Sequence, residues 1–203
     1  KINLKKDICG VMIETFQGWG ALFYPKKYIK LLARVCKQND ILIAFDEMQA
    51  GFSRTGKNFG FQHYDIKPDL ACFGKGISSS LPLSALMGPS WLMDLPGMGN
   101  MSSTHSGNPI SCAAAHASLK YILENNLIEN ARDLGADMHK YLHNLKEKYD
   151  FISFVDGKGL IAAIHFGYKP NDIAGVKIAD YVVEYCLERG LILCRTGRES
   201  IKL

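Results

Sequence analysis

The chain has 203 residues, 47% of them hydrophobic and 22% charged, with 19 Gly and 7 Pro. That is the composition of a packed globular chain, and it excludes intrinsic disorder, a collagen-like repeat and a coiled coil. The net charge of +4 comes from 24 basic and 20 acidic residues scattered along the chain, without a long basic cluster or an apolar run near the ~20 residues of a membrane span, so neither a nucleic-acid surface nor a membrane protein is expected.

In chain order, Cys9, Gly10, Val11, Met12 and Ile13 form a short apolar run closed by Glu14, which predicts a buried strand. Pro25 then opens a helix whose apolar residues Tyr28, Leu31, Leu32, Val35 and Cys36 recur at helical spacing. Asn39-Asp40 turns the chain into a second strand over 41–45, which ends at Asp46-Glu47. A third strand over 70–73 ends at Gly74-Lys75-Gly76, and a fourth is expected over 83–87. Apolar strands with charged residues at their carboxyl ends describe an α/β sheet covered on both faces, whose ligands bind beyond those ends.

From Asn108 the character changes. Asn108 and Pro109 are an N-cap and first helical residue, followed by a stripe of Ile110, Ala114, Ala117 and Tyr121. A second helix carries Ala131, Leu134, Met138, Tyr141 and Leu145. Two strands over 151–155 and 160–166, split by a turn at Asp156-Gly157, precede a helix with Ile178, Tyr181, Val182 and Tyr185. Gly190 stops that helix, and a strand over 191–194 follows. The expected organisation is a larger α/β part over 1–126, then a linking helix and a small α+β domain over 127–203. The six cysteines include no CxxC pair and read as reduced thiols of a cytoplasmic protein. The chain opens on Lys1 without a signal-peptide core and stops at Leu203 without tail composition, so both ends read as cuts in a longer chain.

Gly51 to Lys57 fits the phosphate-cradling G-x-x-x-x-G-K pattern. That loop needs a Ser or Thr next and a helix starting at once. Here Asn58 follows, and residues 59–64 show no helical stripe, so nucleotide hydrolysis is not the expected chemistry. A lysine between glycines after a buried strand is a different device, because the glycines remove side chains that would block a bulky cofactor. By itself Gly74-Lys75-Gly76 reads as a surface lysine in a flexible turn, which is what most such tripeptides are.

The company it keeps decides between these. The run from Phe45 through Asp46-Glu47-Met48-Gln49-Ala50-Gly51 to Lys57, then Lys67-Pro68-Asp69, Gly74-Lys75-Gly76 and Leu81-Pro82-Leu83-Ser84-Ala85, resembles the signature of class III aminotransferases, pyridoxal-phosphate (PLP) enzymes of fold type I. Ser102-Ser103-Thr104-His105-Ser106-Gly107-Asn108-Pro109 resembles the family's Thr-containing loop. Asp46 to Lys75 and Lys75 to Thr104 are both intervals of 29 residues, as the family pattern requires. The resemblance implies a large PLP-binding domain with a mostly parallel sheet flanked by helices, followed by the small C-terminal domain. It implies that Lys75 forms the internal aldimine and shuttles a proton, that Asp46 pairs with the pyridine nitrogen, that Gln49 contacts the phenolic oxygen side, and that Thr104 binds the phosphate of a neighbouring subunit. The implied enzyme is a transaminase taking an amino group from an amine or amino acid to a 2-oxo acid, as a homodimer with shared active sites. An aminomutase or decarboxylase on the same site is the alternative, although Gln49 stands where aminomutases usually carry Met. A more remote one is a non-catalytic chain of the same fold.

Two departures from the family pattern bear on the substrate. The family's Glu-Pro-x-x-Gly segment reads Glu14-Thr15-Phe16-Gln17-Gly18 here, with Trp19 at the place of a following acid. Lys202 stands where the resemblance puts a carboxylate-gripping arginine; lysine keeps the charge but not the bidentate fork, and Arg195 or Arg198 are the other candidates. The family's glycine-rich phosphate loop and its ring-stacking aromatic have no counterpart before Glu14. His139 and His143 lie four apart on a helix without the glutamate of a zinc motif and read as a solvated face, so no metal site is expected. Glu47 reads as a structural acid holding its turn, and Arg54 as a brace of the same loop. Phe16, Trp19 and Tyr24 read equally as pocket lining or core.

Overall fold

A computed structural model describes residues 7–168, 173–197 and 199–203. Arg198 lies outside them. In chain order the elements are β1 (Gly10–Glu14), β2 (Phe16–Gln17), β3 (Leu22–Phe23), α1 (Lys26–Gln38), β4 (Leu42–Asp46), β5 (Leu70–Phe73), β6 (Ala85–Met87) and α2 (Ser90–Met93). They continue as α3 (Pro109–Glu124), α4 (Leu127–Lys148), β7 (Ile152–Lys158), β8 (Ile161–Phe166), α5 (Ile173–Leu187), β9 (Cys194–Thr196) and β10 (Ser200–Lys202). Short 3₁₀ turns cover Gly60–Tyr64 and Lys75–Ile77. None of the described helices is long and apolar enough to cross a membrane.

Two compact units divide these elements. The first gathers Lys1–Thr15, Tyr24–Ser53 and Lys57–Asn126; the second gathers Phe16–Phe23, Arg54–Gly56 and Leu127–Leu203. The sheet of the first unit has the order β1-β4-β5-β6, with β1, β4 and β5 parallel and β6 antiparallel to β5. Parallel pairing needs crossovers, and α1 supplies the one between β1 and β4. β4 and β5 bury alternate residues most deeply, Ile43 and Phe45 on one and Ala71 and Phe73 on the other, so the sheet is less evenly covered than its apolar runs predict. Phe73, Ile77 and Ala115 form a core with Phe52, Phe59 and Phe61 packed against it.

Helix faces differ from the sequence stripes. In α1 the buried residues are Ile29, Leu32 and Cys36, while Tyr28 and Leu31 are exposed. In α3 the buried residues are the small Ser111 and Ala115, which let the helix approach Ile77 closely, while Ile110 stands 70% exposed. Asn108 does cap α3, its side-chain oxygen accepting from Ile110 N at 3.0 Å and Ser111 N at 3.3 Å.

The second unit is an antiparallel sheet of order β7-β8-β10-β9 with α4 and α5, and a small β2-β3 hairpin. Its core comprises Leu142, Ile152, Val155, Ile164, Phe166 and Ile201, among others. The turn expected at Asp156-Gly157 is not there: β7 runs on to Lys158, with Gly157 opposite Ala162. Gly157 adopts φ +146°, which only a residue without a side chain sustains so close to Ile161 and Ala162. The strand expected over 191–194 shifts to Cys194–Thr196, and a further, unexpected strand, Ser200–Lys202, follows it; both are too short to carry a period of their own. His139 does not face solvent, as expected of it, but lies half-buried with Nε2 3.2 Å from the Gly159 carbonyl.

Candidate active site

Asp46 is the last residue of β4, flanked in register by Glu14 on β1 and Cys72 on β5. Its position follows from the sequence: Phe45 is fully buried, and the chain must leave the sheet where the apolar run stops. The half-buried Asp46 turns Oδ1 onto the backbone N–H of Met48 at 2.8 Å, so the acid and the turn that follows it hold each other. Burial, and then the charge of Asp46, push the neighbouring Cys72 thiol above its ordinary value.

The turn closes through Gly51 N–H donating to the Glu47 carbonyl at 2.9 Å, and it carries the half-buried Gln49. Glu47 is completely buried, and its carboxylate accepts from Thr15 Oγ1, from Gly60 N at 2.7 Å and from Phe61 N at 2.8 Å. Its expected role as a structural acid is therefore visible, but the partners come from distant segments that nothing local announces. Arg54 does not brace this loop; it belongs to the second unit, where its carbonyl accepts from Leu160 N at 2.9 Å.

Lys75 begins the 3₁₀ turn two residues beyond the end of β5. Its backbone sits at φ +43°, a left-handed conformation that is unfavourable for a side chain of this kind and tends to occur at functional sites. A side-chain carbon on Gly74 would collide with Met48 Sδ, and one on Gly76 would meet Phe52 Cβ at 3.4 Å. The glycine before Lys75 thus admits Met48, the second residue after Asp46, and the two strand ends pack together. Lys75 itself is exposed.

Asp46, Gln49 and Lys75 accordingly gather at the carboxyl ends of two hydrogen-bonded parallel strands. Thr104 is not among them. It lies in an exposed turn ahead of α3, where Ser103 N donates to Ser106 Oγ at 2.9 Å and Gly107 takes φ +63°. A concavity of about 780 Å³ opens at the amino-terminal end of β4, beside Asp40 and Ile41, and one of about 520 Å³ runs along β5 from Leu70 to Phe73; Asp69 and Trp91 line both. Neither is lined by Asp46 or Lys75, and ligands of open parallel sheets bind beyond the carboxyl ends of the strands.

Of the carboxylate-grip candidates, Arg195 and Lys202 are described, and both lie in the second unit. Arg195 is engaged by Asp180 at 2.6 Å and by the carbonyls of Thr196 and Gly197. Lys202 brings Nζ to 3.5 Å from the Gly18 carbonyl, and Thr196 Oγ1 lies within hydrogen-bond reach of the carbonyls of Gly18 and Trp19. Trp19 is 71% exposed, whereas Phe16 is core. Sequence reasoning missed this strapping of residues 18–19 to β9 and β10, which joins positions more than 170 residues apart.

The sequence model of the family described as Aminotransferase class-III matches residues 2–203. Among similar proteins, a probable 4-aminobutyrate aminotransferase of Bacillus subtilis (strain 168) is 33% identical over 194 residues, which are 95% of this chain and 44% of that protein. An alanine/serine racemase of Pyrococcus horikoshii is 34% identical over 192 residues, 94% of this chain and 40% of the racemase. The ornithine aminotransferase of Toxoplasma gondii, whose structure was solved with partial occupancy of PLP at its active site, superimposes with a TM-score of 0.88 at 29% identity, covering 98% of this chain and 46% of that one. The chain thus spans less than half the length of each of these relatives.

Proposed function

This chain belongs to the class-III aminotransferase family, and on that premise we propose that it serves PLP-dependent transamination, in which an amino group passes from an amine or amino acid to a 2-oxo acid. The observation that carries the proposal is the pairing of an acid at the end of β4 with a lysine just beyond the end of β5, on neighbouring parallel strands. Solved relatives with the same fold are PLP fold type I transaminases.

The residues present suit that cofactor. A carboxylate matches a protonatable ring nitrogen, a primary amine matches an aldehyde, and a hydroxyl matches a phosphate; the chain offers Asp46, Lys75 and Thr104 for these. The collision that a side chain at Gly74 would meet, and the left-handed backbone of Lys75, support a lysine held in one presentation. When bound, PLP supplies an electron sink for charge developing at the substrate α-carbon.

Asp46 holds a proton on the ring nitrogen, because a carboxylate beside it in a partly desolvated place favours the charged form of the ring. Gln49 contacts the phenolic oxygen side. Lys75 would hold the aldehyde of the cofactor through its primary amine and, as a free amine, would move the proton at the substrate α-carbon; such a positioned acid-base group is worth roughly 10²–10⁴-fold. Thr104, on its exposed turn, binds the phosphate of a neighbouring subunit in a homodimer with shared sites.

Lys75→Ala tests the assignment. In the PLP-loaded protein it should remove the visible absorbance of tethered cofactor and abolish turnover, with an unchanged far-UV circular dichroism spectrum. A variant that keeps both the absorbance and the turnover overturns it. The similarity to a racemase supports a second reading, in which the same Lys75 proton transfer inverts an α-carbon without net transfer of nitrogen.

A further inference from the structure

Glu47 follows Asp46 directly, and along extended backbone neighbouring side chains leave on opposite sides. Asp46 is half-buried at the site, whereas the Glu47 side chain is 0% exposed. Its two oxygens are met by donors from two other segments. Thr15 Oγ1, just past the end of β1, and Phe61 N at 2.8 Å both reach Oε1, and Gly60 N reaches Oε2 at 2.7 Å. Its backbone is tied as well: Glu47 N donates to the Cys72 carbonyl of β5 at 2.9 Å, and its own carbonyl takes the Gly51 N–H that closes the Gln49 turn.

A carboxylate is expensive to bury, and burial pushes the Glu47 acid above its ordinary range even though the three donors pull it down. A clamp between segments can be built from apolar side chains at no loss of stability. What the carboxylate adds is direction: it accepts at both oxygens and donates from neither, so a nest of donors fixes its orientation. Gly60 permits the approach, since a side-chain carbon there would lie 2.6 Å from both Ala50 Cβ and Thr15 Cγ2.

We propose that Glu47 is a positioning residue of the site, whose buried carboxylate locks the end of β4 and the following turn so that Asp46 and Gln49 project at a fixed angle. The proposal rests on the reading of Asp46 as the partner of the PLP ring nitrogen. A misplacement of about 1 Å at such a group can lower a rate by as much as ~10²-fold.

The experiment is a double-mutant cycle in the PLP-loaded protein, with kcat and amine KM measured for Glu47→Gln, Asp46→Asn and the pair. A glutamine keeps the shape but aims an NH₂ at one of the donors. Glu47→Gln should lower kcat by roughly tenfold or more with amine KM little changed. The double variant should lose markedly less than the two single losses combined, because the charge that Glu47 chiefly positions is already gone and only its hold on Gln49 remains. Additive losses, or a wild-type kcat in Glu47→Gln, overturn the proposal while leaving the role of Asp46 standing. A wild-type kcat in Asp46→Asn overturns the reading of the site and this proposal with it. Thr15→Val, which removes one donor without touching the acid, repeats the cycle in milder form. Should Glu47→Gln fail to fold, the same two outcomes for Thr15→Val decide.

Discussion

Asp46 ends a strand whose preceding residue is fully buried, and its carboxylate is shared with the Met48 N–H. That hydrogen bond orients the carboxylate while leaving it half-buried rather than closed off. Asp46→Asn keeps the shape and removes the charge. It should lower kcat by about 10²-fold or more, equivalent to roughly 3 kcal/mol of transition-state stabilisation, with PLP still bound; stopped-flow measurement of the half-reaction checks this. The placing of Asp46 and Lys75 at strand ends is legible in the sequence because both stand where an apolar run stops. Glu47's partners are not, because Thr15, Gly60 and Phe61 reach it only through the folded backbone.

Among the elements, α4 shows how glycine sets a packing distance. A side-chain carbon at Gly135 would lie within 2.5 Å of the Gly159 Cα and carbonyl carbon, atoms of a turn that cannot rotate aside. Gly135→Ala should therefore destabilise the protein by roughly 1–3 kcal/mol or more, read as a lower urea midpoint, although alanine is the better helix former. Leu134 and Tyr141, prominent in the sequence stripe, are exposed, while Ala131, Gly135 and Leu142 face inward. The stripe misleads because hydrophobicity marks large residues, whereas close contact between a helix and a turn selects small ones.

His139 lies on the same helix, one turn further on. Burial, its largest influence, lowers its pKa from the ordinary 6.5; the neighbouring His143 pushes the same way, and the backbone carbonyls at Gly159 and Ile161 and the charge of Asp156 push back. The unfolded chain therefore binds the proton more readily than the folded one between the two values. The resulting stability is fully present above pH 6.5 and is lost as pH falls through the lowered folded value. His139→Gln should flatten that loss: the melting temperature of the wild type relative to the variant should fall between about pH 8 and about pH 5.5. A constant difference across that range would contradict it.

For the whole molecule, two units interleave along the chain, and activity belongs to a protein whose relatives are more than twice this length. The donor class is best approached through a panel of 4-aminobutyrate, ornithine and alanine with a 2-oxo acid acceptor. Transamination predicts that nitrogen appears on the acceptor and that the reaction stops without it. Inversion of alanine in the absence of any acceptor would favour the racemase reading instead.

By itself the sequence determined the family, the order of the main strands and helices, and the placing of an acid and a lysine at the ends of neighbouring strands. These depend on residues whose meaning is local: an apolar run long enough for a strand, a charge at its end, a glycine on either side of a lysine, and a spacing that survives without knowledge of contacts. Only the tertiary structure decided which face of each helix is inside, where β7 turns, and that residues 16–23 and 54–56 join the second unit. Those outcomes rest on contacts such as Phe23 N with Asp156 Oδ2, 133 positions away, and Thr196 Oγ1 with the Gly18 carbonyl, 178 away. Hydrogen bonds of that reach are chosen by the packing of the whole chain, and no short window of sequence contains both partners.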